Sequence, residues 1–160
     1  MIKQKILCVD DEIDNLEALE RMLRQKYIVM KASSGAAAIE LLDQDRDREI
    51  ALIISDQKMP SMTGVEFLEK SLLSHPNSVR ILLTGYTDIE SLIEAINNAQ
   101  IYRYLTKPWE PVDFKMTVDA AIERYNSQQE LKLKNEQLKK AFDELSVLDK
   151  TKSNFMILIN

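Results

Sequence analysis

The chain has 160 residues, 45% of them hydrophobic and 29% charged, with a formal net charge of −5. That suits one compact domain with a sizeable core and an appendage. The acidic balance gives no reason to expect nucleic acid on this segment and disfavours an anionic membrane surface.

The start, MIKQKILCVDD, turns acidic too soon for a signal peptide. No apolar run approaches the roughly 20 residues of a membrane-spanning helix. Cys8, the single cysteine, can form no internal disulfide and reads as a small buried hydrophobe, which fits a reducing cytoplasm.

KILCV (5–9) reads as a short buried strand. Residues 14–25 carry Leu16, Leu19, Met22 and Leu23 at helical spacing, with Asp11 or Asp14 as the expected cap. A second strand is expected at 27–33, and Ser34-Gly35 opens a helix with Ala38, Ile39 and Leu42 on one face. The third strand is expected at 50–55, the helix GVEFLEKSLLS from Gly64, and the fourth strand at 79–84. Asp88 is the expected cap of IESLIEAINNA, IYRYLT (101–106) the fifth strand, and a helix opens at Pro111 with no Pro or Gly after it. Strict alternation of short apolar strands with amphipathic helices predicts a doubly wound α/β fold: a parallel sheet covered on both faces.

Ligands of such sheets gather beyond the carboxyl ends of the strands. That rim is predicted to hold Asp10, Asp11 and Glu12 after the first strand, and Asp56 after the third. Thr84 and Gly85 follow the fourth strand and Lys107 the fifth. Each residue alone has a plainer reading: a loop acid, a turn acid, a strand threonine, a solvated lysine. Their segregation to one rim points instead to phosphoryl transfer onto a carboxylate. Clustered acids repel one another, and a hard divalent cation such as Mg²⁺ relieves that repulsion. One acid then serves as nucleophile while the metal and a lysine neutralise the transferring charge. Asp56, central in the expected strand order, is the candidate nucleophile. Asp10 and Asp11 are the metal-site acids, Lys107 pairs with the phosphoryl group, and Thr84 senses it.

The stretches LCVDDE (7–12), SDQKMPSMTGVEFL (55–68), ILLTGYTD (81–88) and YRYLTKPW (102–109) occur in this order and spacing. With them, residues 3–125 resemble the receiver domain of bacterial two-component response regulators, of the chemotaxis-regulator type. The resemblance implies a flavodoxin-like five-stranded sheet in the order 2-1-3-4-5, and phosphorylation of Asp56 by the phosphohistidine of a kinase or phosphotransfer protein. It implies Asp11 as a direct Mg²⁺ ligand with Asp10 nearby, completed by the main-chain carbonyl of Lys58. It implies Thr84 and Tyr104 as a switch pair, the hydroxyl moving to the phosphate and the ring turning inward, and a cis Lys107–Pro108 peptide. Phosphate loss would be self-catalysed hydrolysis, so no enzyme acting on an outside substrate is expected. Gly85 stands where alanine is common, and Lys58 and Tyr86 hold positions that tune phosphoryl lifetime in the family. No glycine-rich P-loop is present, which argues against a nucleotide enzyme.

The expected division is a receiver at 1–125 and a coiled-coil helix at 126–160. Leu131, Leu138, Ala141, Leu145, Leu148, Phe155 and Ile159 fall at alternating steps of three and four, interrupted by Lys134 and Lys152. A parallel homodimer through residues 131–159 is the expected way to bury that stripe. LDKTKSNFMILIN (148–160) is similar to the opening of the dimerisation and phosphoacceptor helix of sensor histidine kinases, which implies a receiver placed ahead of a kinase or output region. The rival reading is a receiver-shaped interaction module that does not use phosphate. His75, without a cysteine or histidine at ligand spacing, is read as a surface loop residue and not a zinc ligand. Met59 and Met62 are read as packing residues.

Overall fold

The computed structural model describes residues 2–85 and 89–159, with the backbone alone for 89–91 and 153–159. The strands are β1 (Lys5–Val9), β2 (Ile28–Ala32), β3 (Ile50–Asp56), β4 (Val79–Thr84) and β5 (Arg103–Thr106). The helices are α1 (Ile13–Leu23), α2 (Gly35–Gln44), α3 (Gly64–Ser74), α4 (Ile89–Asn98) and α5 (Pro111–Ile159). All strand pairings are parallel, in the order β2-β1-β3-β4-β5. This is the expected flavodoxin-like arrangement with a long C-terminal helix. The chain divides into two compact units, Met1–Tyr125 and Asn126–Asn160.

The pleat of the sheet separates two cores. Ile6 and Cys8 of β1 pack with Leu16 and Leu19 of α1 and with Phe114 and Val118 of α5. Leu7 and Val9 point to the other face, against Ala38 of α2 and Phe67 and Leu68 of α3. Leu52, Ile53 and Ile54 of the central strand are all fully buried. Each such side chain contributes about 1.5–3 kcal/mol through burial. Burial on both faces is why these strands are continuous apolar runs. Cys8 lies fully inside, where desolvation pushes its thiol up to about 12.

Several local features differ from the sequence reading. The N-cap of α1 is Glu12, with no side-chain cap bond, and Asp14 lies in the first turn. Neither Asp11 nor Asp14 caps it: Asp10 Oδ1 accepts the Glu12 N–H, and the Asn15 and Leu16 N–H groups bond the Glu12 carbonyl. β5 begins at Arg103 because Ile101 donates to Ile96 O, closing α4, and its side chain joins the second core. Asp88 and Tyr86 lie outside the described residues.

His75 is not a surface residue: it is 2% exposed. Its Nε2 lies 2.9 Å from Asp45 Oδ2 and its Nδ1 2.8 Å from Ser74 Oγ. Asp45 also accepts the N–H groups of Glu49 and Ile50. These bonds outweigh burial and hold its carboxyl below the usual range. Buried Arg80 donates to Ser71 Oγ, Ser78 O and His75 O, and burial lowers its guanidinium to about 10. The network joins the ends of α2 and α3 at the amino-terminal ends of β3 and β4. His75 turns inward because the Asp45 carboxylate and the Ser74 hydroxyl give both its ring nitrogens hydrogen-bond partners in the interior. Met59 is buried and Met62 packs against the second core, as expected.

Candidate functional site

Strand register decides which residues share the rim. Val9 pairs with Ser55, so Asp10 and Asp56 emerge side by side. Asp56 pairs with Leu83 and Thr84 with Thr106, so Thr84 and Lys107 follow on the same edge. Bonds beyond the strands extend this order: Gln57 N donates to Leu83 O and Lys107 N to Thr84 O, both at 2.9 Å. β1 and β3 are neighbours here although β2 intervenes in sequence, which makes their junction the switch point of the sheet.

Asp10, Asp11 and Asp56 each offer a carboxylate oxygen, and these oxygens lie within 4.8 Å of one another. Asp10 is fully buried and Asp56 is 7% exposed, whereas Asp11 faces solvent. Lys107 Nζ stands 2.9 Å from Asp56 Oδ1 and 3.4 Å from Asp10 Oδ2. Asp10 is held further by the Glu12 N–H at 2.9 Å and by Asn15 Nδ2 at 3.2 Å. A cleft of about 410 Å³ opens over this group, lined by Asp11, Asp56, Gln57, Lys58, Thr84 and Lys107 among others. Among the described residues the buried hydroxyl of Thr84 has no hydrogen-bond partner. A buried polar atom without a partner is costly, and one facing a polar cleft is placed to meet a ligand oxygen.

Burial pushes the Asp56 carboxyl above its usual range, with Lys107 opposing and Asp10 adding to the rise. Burial works against the Lys107 ammonium, but Asp56 and Asp10 outweigh it and leave the lysine above its usual value. The cluster is thus one shared electrostatic object: acids that disfavour each other's charge, and a cation that compensates part of it. Its all-oxygen donor set, clustered and negatively charged, fits a hard divalent cation.

Lys107 precedes Pro108 through a cis peptide bond. Trp109 and Phe114 then contact with ring centroids 5.4 Å apart, and the Glu110 side chain accepts the N–H groups of Val112 and Asp113. These are a hydrophobic staple and a carboxylate cap, and they fix the start of α5 beside the lysine. Tyr104, on β5, is 43% exposed and does not line the cleft.

Three residues with structural parts here are not read as site residues in the sequence. Asn15 holds Asp10. Gly64 packs against the Asp56 main chain, where a Cβ would stand 2.2 Å from its carbonyl oxygen. Gln57 accepts the Val65 N–H through Oε1 at 2.9 Å. Gln57 and Gly64 lie inside the stretch SDQKMPSMTGVEFL, and Gly64 reads there only as the start of a helix; the signal for Asn15 is its nearness to the acids.

A sequence model of the response regulator receiver domain matches residues 6–119. The hydrogenase transcriptional regulatory protein HoxA of Bradyrhizobium diazoefficiens is 38% identical over 129 residues, covering 81% of this chain and 26% of that protein. The chain therefore spans about a quarter of that relative's length. A response regulator receiver domain protein from Clostridium thermocellum superposes with a TM-score of 0.72 at 28% identity, over 78% of this chain and 98% of that one. A structure titled adenylate cyclase, from Rhodopirellula baltica, gives 0.73 at 35% identity, over 81% of this chain and 97% of that one. Fold, strand order and sequence match agree: the chain belongs to the response regulator receiver domain family.

Proposed function

We propose that this receiver accepts a phosphoryl group on Asp56 from the phosphohistidine of a kinase or phosphotransfer protein, with Mg²⁺, and signals through a paired C-terminal helix. One observation carries the reading. Asp56 sits 2.9 Å from Lys107, within a cluster of acids, in a cleft that also holds the Thr84 hydroxyl, which has no hydrogen-bond partner among the described residues.

An Asp56 carboxylate oxygen forms the new P–O bond as the P–N bond of the donor breaks, and the imidazole keeps the electron pair. Lys107 keeps the nucleophile ionised and then pairs with a phosphoryl oxygen. Thr84 donates its hydroxyl to another. Asp10, Asp11, Asp56 and the Lys58 carbonyl would hold Mg²⁺, which offsets the charge of acids and phosphoryl group. The new group adds about two negative charges at the rim. Tyr104, half exposed beside Thr84's strand, is the ring that turns inward once Thr84 moves. Loss of phosphate is self-catalysed hydrolysis, so the module is a phosphoacceptor and not an enzyme on an outside substrate.

The receiver occupies 1–125 and the pairing helix 126–160. In the second unit Leu131, Leu138, Leu145 and Leu148 are 59–70% exposed, an apolar stripe that a second copy would cover. Lys134, at a seam position, is paired with Glu130 of its own helix at 3.0 Å. Phe155 and Ile159 have side chains outside the description. The similarity of 148–160 to a histidine kinase helix supports a kinase as the output. Among the described residues no helix is long and apolar enough to cross a membrane, and a cytoplasmic setting belongs to the same reading.

Intact mass after incubation with Mg²⁺ and acetyl phosphate tests the reading, with Asp56→Asn as the comparison. One added phosphoryl group in the native chain alone supports it. No gain in either, with no Mg²⁺ bound, leaves the phosphate-independent interaction module.

A further inference from the structure

The segment between β3 and α3 carries Lys58, whose main-chain carbonyl is the fourth protein oxygen in the reading above, and the inference rests on that reading. Both feet of this segment stand on one residue. Gln57 N donates to Leu83 O of β4 at 2.9 Å, which fixes the first foot to the sheet. Gln57 O accepts the Gly64 N–H at 3.0 Å, and Gln57 Oε1 accepts the Val65 N–H at 2.9 Å, which fixes the second. These are two of the orphan amides at the start of α3. The next, Glu66 N, is capped separately by Thr63 Oγ1 at 3.2 Å. Inside the closed segment Met59 is buried and Met62 N bonds Pro60 O at 2.7 Å.

We infer that Gln57 is a positioning residue for the metal-binding carbonyl of Lys58: its side-chain oxygen closes the 58–63 segment and fixes that carbonyl relative to Asp56 and Asp11. The main-chain bonds of Gln57 survive substitution by any residue but proline, whereas the side-chain bond needs an acceptor of the same reach. Without it the α3 foot hangs from a single Gln57 contact, and the segment gains freedom next to the acids. The amide is neutral, so it ties the segment down without adding to the negative charge of the cluster. Ligand orientation by such outer partners typically changes metal affinity by about 10- to 100-fold.

Calorimetric titration of Mg²⁺ into the full chain tests this with Gln57→Leu and Thr63→Ala. Each variant removes one cap bond from the same helix terminus, so a merely structural role predicts equal effects. The positioning role predicts Mg²⁺ binding about tenfold weaker in Gln57→Leu and native in Thr63→Ala. Gln57→Met, more compliant in packing, removes the same acceptor if the leucine variant does not fold. Native affinity in both variants, or equal loss in both, overturns the inference while leaving the metal reading intact. A native chain that binds no Mg²⁺ overturns the metal reading and this inference with it.

Discussion

Gly64 and Asp56 meet so closely that a Cβ on the glycine would lie 2.2 Å from the aspartate's carbonyl oxygen and 2.9 Å from its carbonyl carbon. The obstacle is main chain, so it cannot swing aside as a flexible side chain would. Helix α3 therefore starts directly against the strand end that carries Asp56. Gly64→Ala is expected to cost about 3 kcal/mol of stability and to slow phosphoryl uptake by displacing Asp56. Urea unfolding and intact-mass time courses measure the two effects.

Lys107 is expected to matter to chemistry more than to folding. Lys107→Met keeps the apolar stem and removes the charge 2.9 Å from Asp56. Uptake from a small phosphodonor should fall by about 100-fold, the scale of losing one charge-stabilising donor. Native uptake in this variant would remove the lysine from the mechanism.

Asp56→Asn is expected to abolish phosphorylation and yet raise stability at neutral pH. In the unfolded chain the carboxyl ionises near its ordinary value of 3.8, whereas burial raises it in the folded protein. The folded state binds the extra proton between those values, so stability falls as pH rises through that interval. Above it the full penalty applies, and the uncharged amide escapes it. Melting curves should place the Asp56→Asn variant above the native chain at neutral pH and level with it in acid, below the unfolded value.

The opposite sign applies to Asp45, whose carboxyl is held below its ordinary 3.8 by Ile50, His75 and Glu49 against the effect of burial. Its contribution is fully present above that unfolded value and is lost as pH falls through the folded one. Asp45→Ala should cost about 1–3 kcal/mol at neutral pH, since it removes the acceptor of the Glu49 and Ile50 N–H groups and the partner of the buried His75 ring. It should also flatten the acid side of the stability profile below about pH 4. Denaturant midpoints across that range give both quantities.

Leu138→Lys with Leu145→Lys places charge on the exposed stripe of the second unit. Sedimentation should show a dimer for the native chain and a monomer for the double variant, with phosphoryl uptake at Asp56 unchanged. A native chain that sediments as a monomer would refute the pairing of the tail.

Apolar runs carried most of the fold into view. β1 and β4 have the expected bounds, 5–9 and 79–84, whereas β3 runs one residue further than its expected 50–55, to Asp56, because Ser55 and Asp56 stay buried beyond the apolar run. The rim residues were legible through topology: once β1, β3, β4 and β5 lie parallel, Asp10, Asp56, Thr84 and Lys107 must emerge on one edge. Contacts between side chains and distant main chain were not legible. Asp45 and His75 are 30 residues apart, and each sits just past a helix end, where no periodicity marks it as inward. Gln57 looks like an ordinary polar loop residue, since its partners are backbone amides that exist only once α3 has docked.

Trp109 is the chain's single tryptophan. It stands two residues beyond Lys107 and rests against Phe114 in the first turns of α5. Its indole emission therefore arises at the joint between the cation of the pocket and the helix leading away from it. The native protein thus carries a single indole at that joint, and a shift of the Phe114 contact or of the start of α5 is expected to register in its emission without a dye or an added residue.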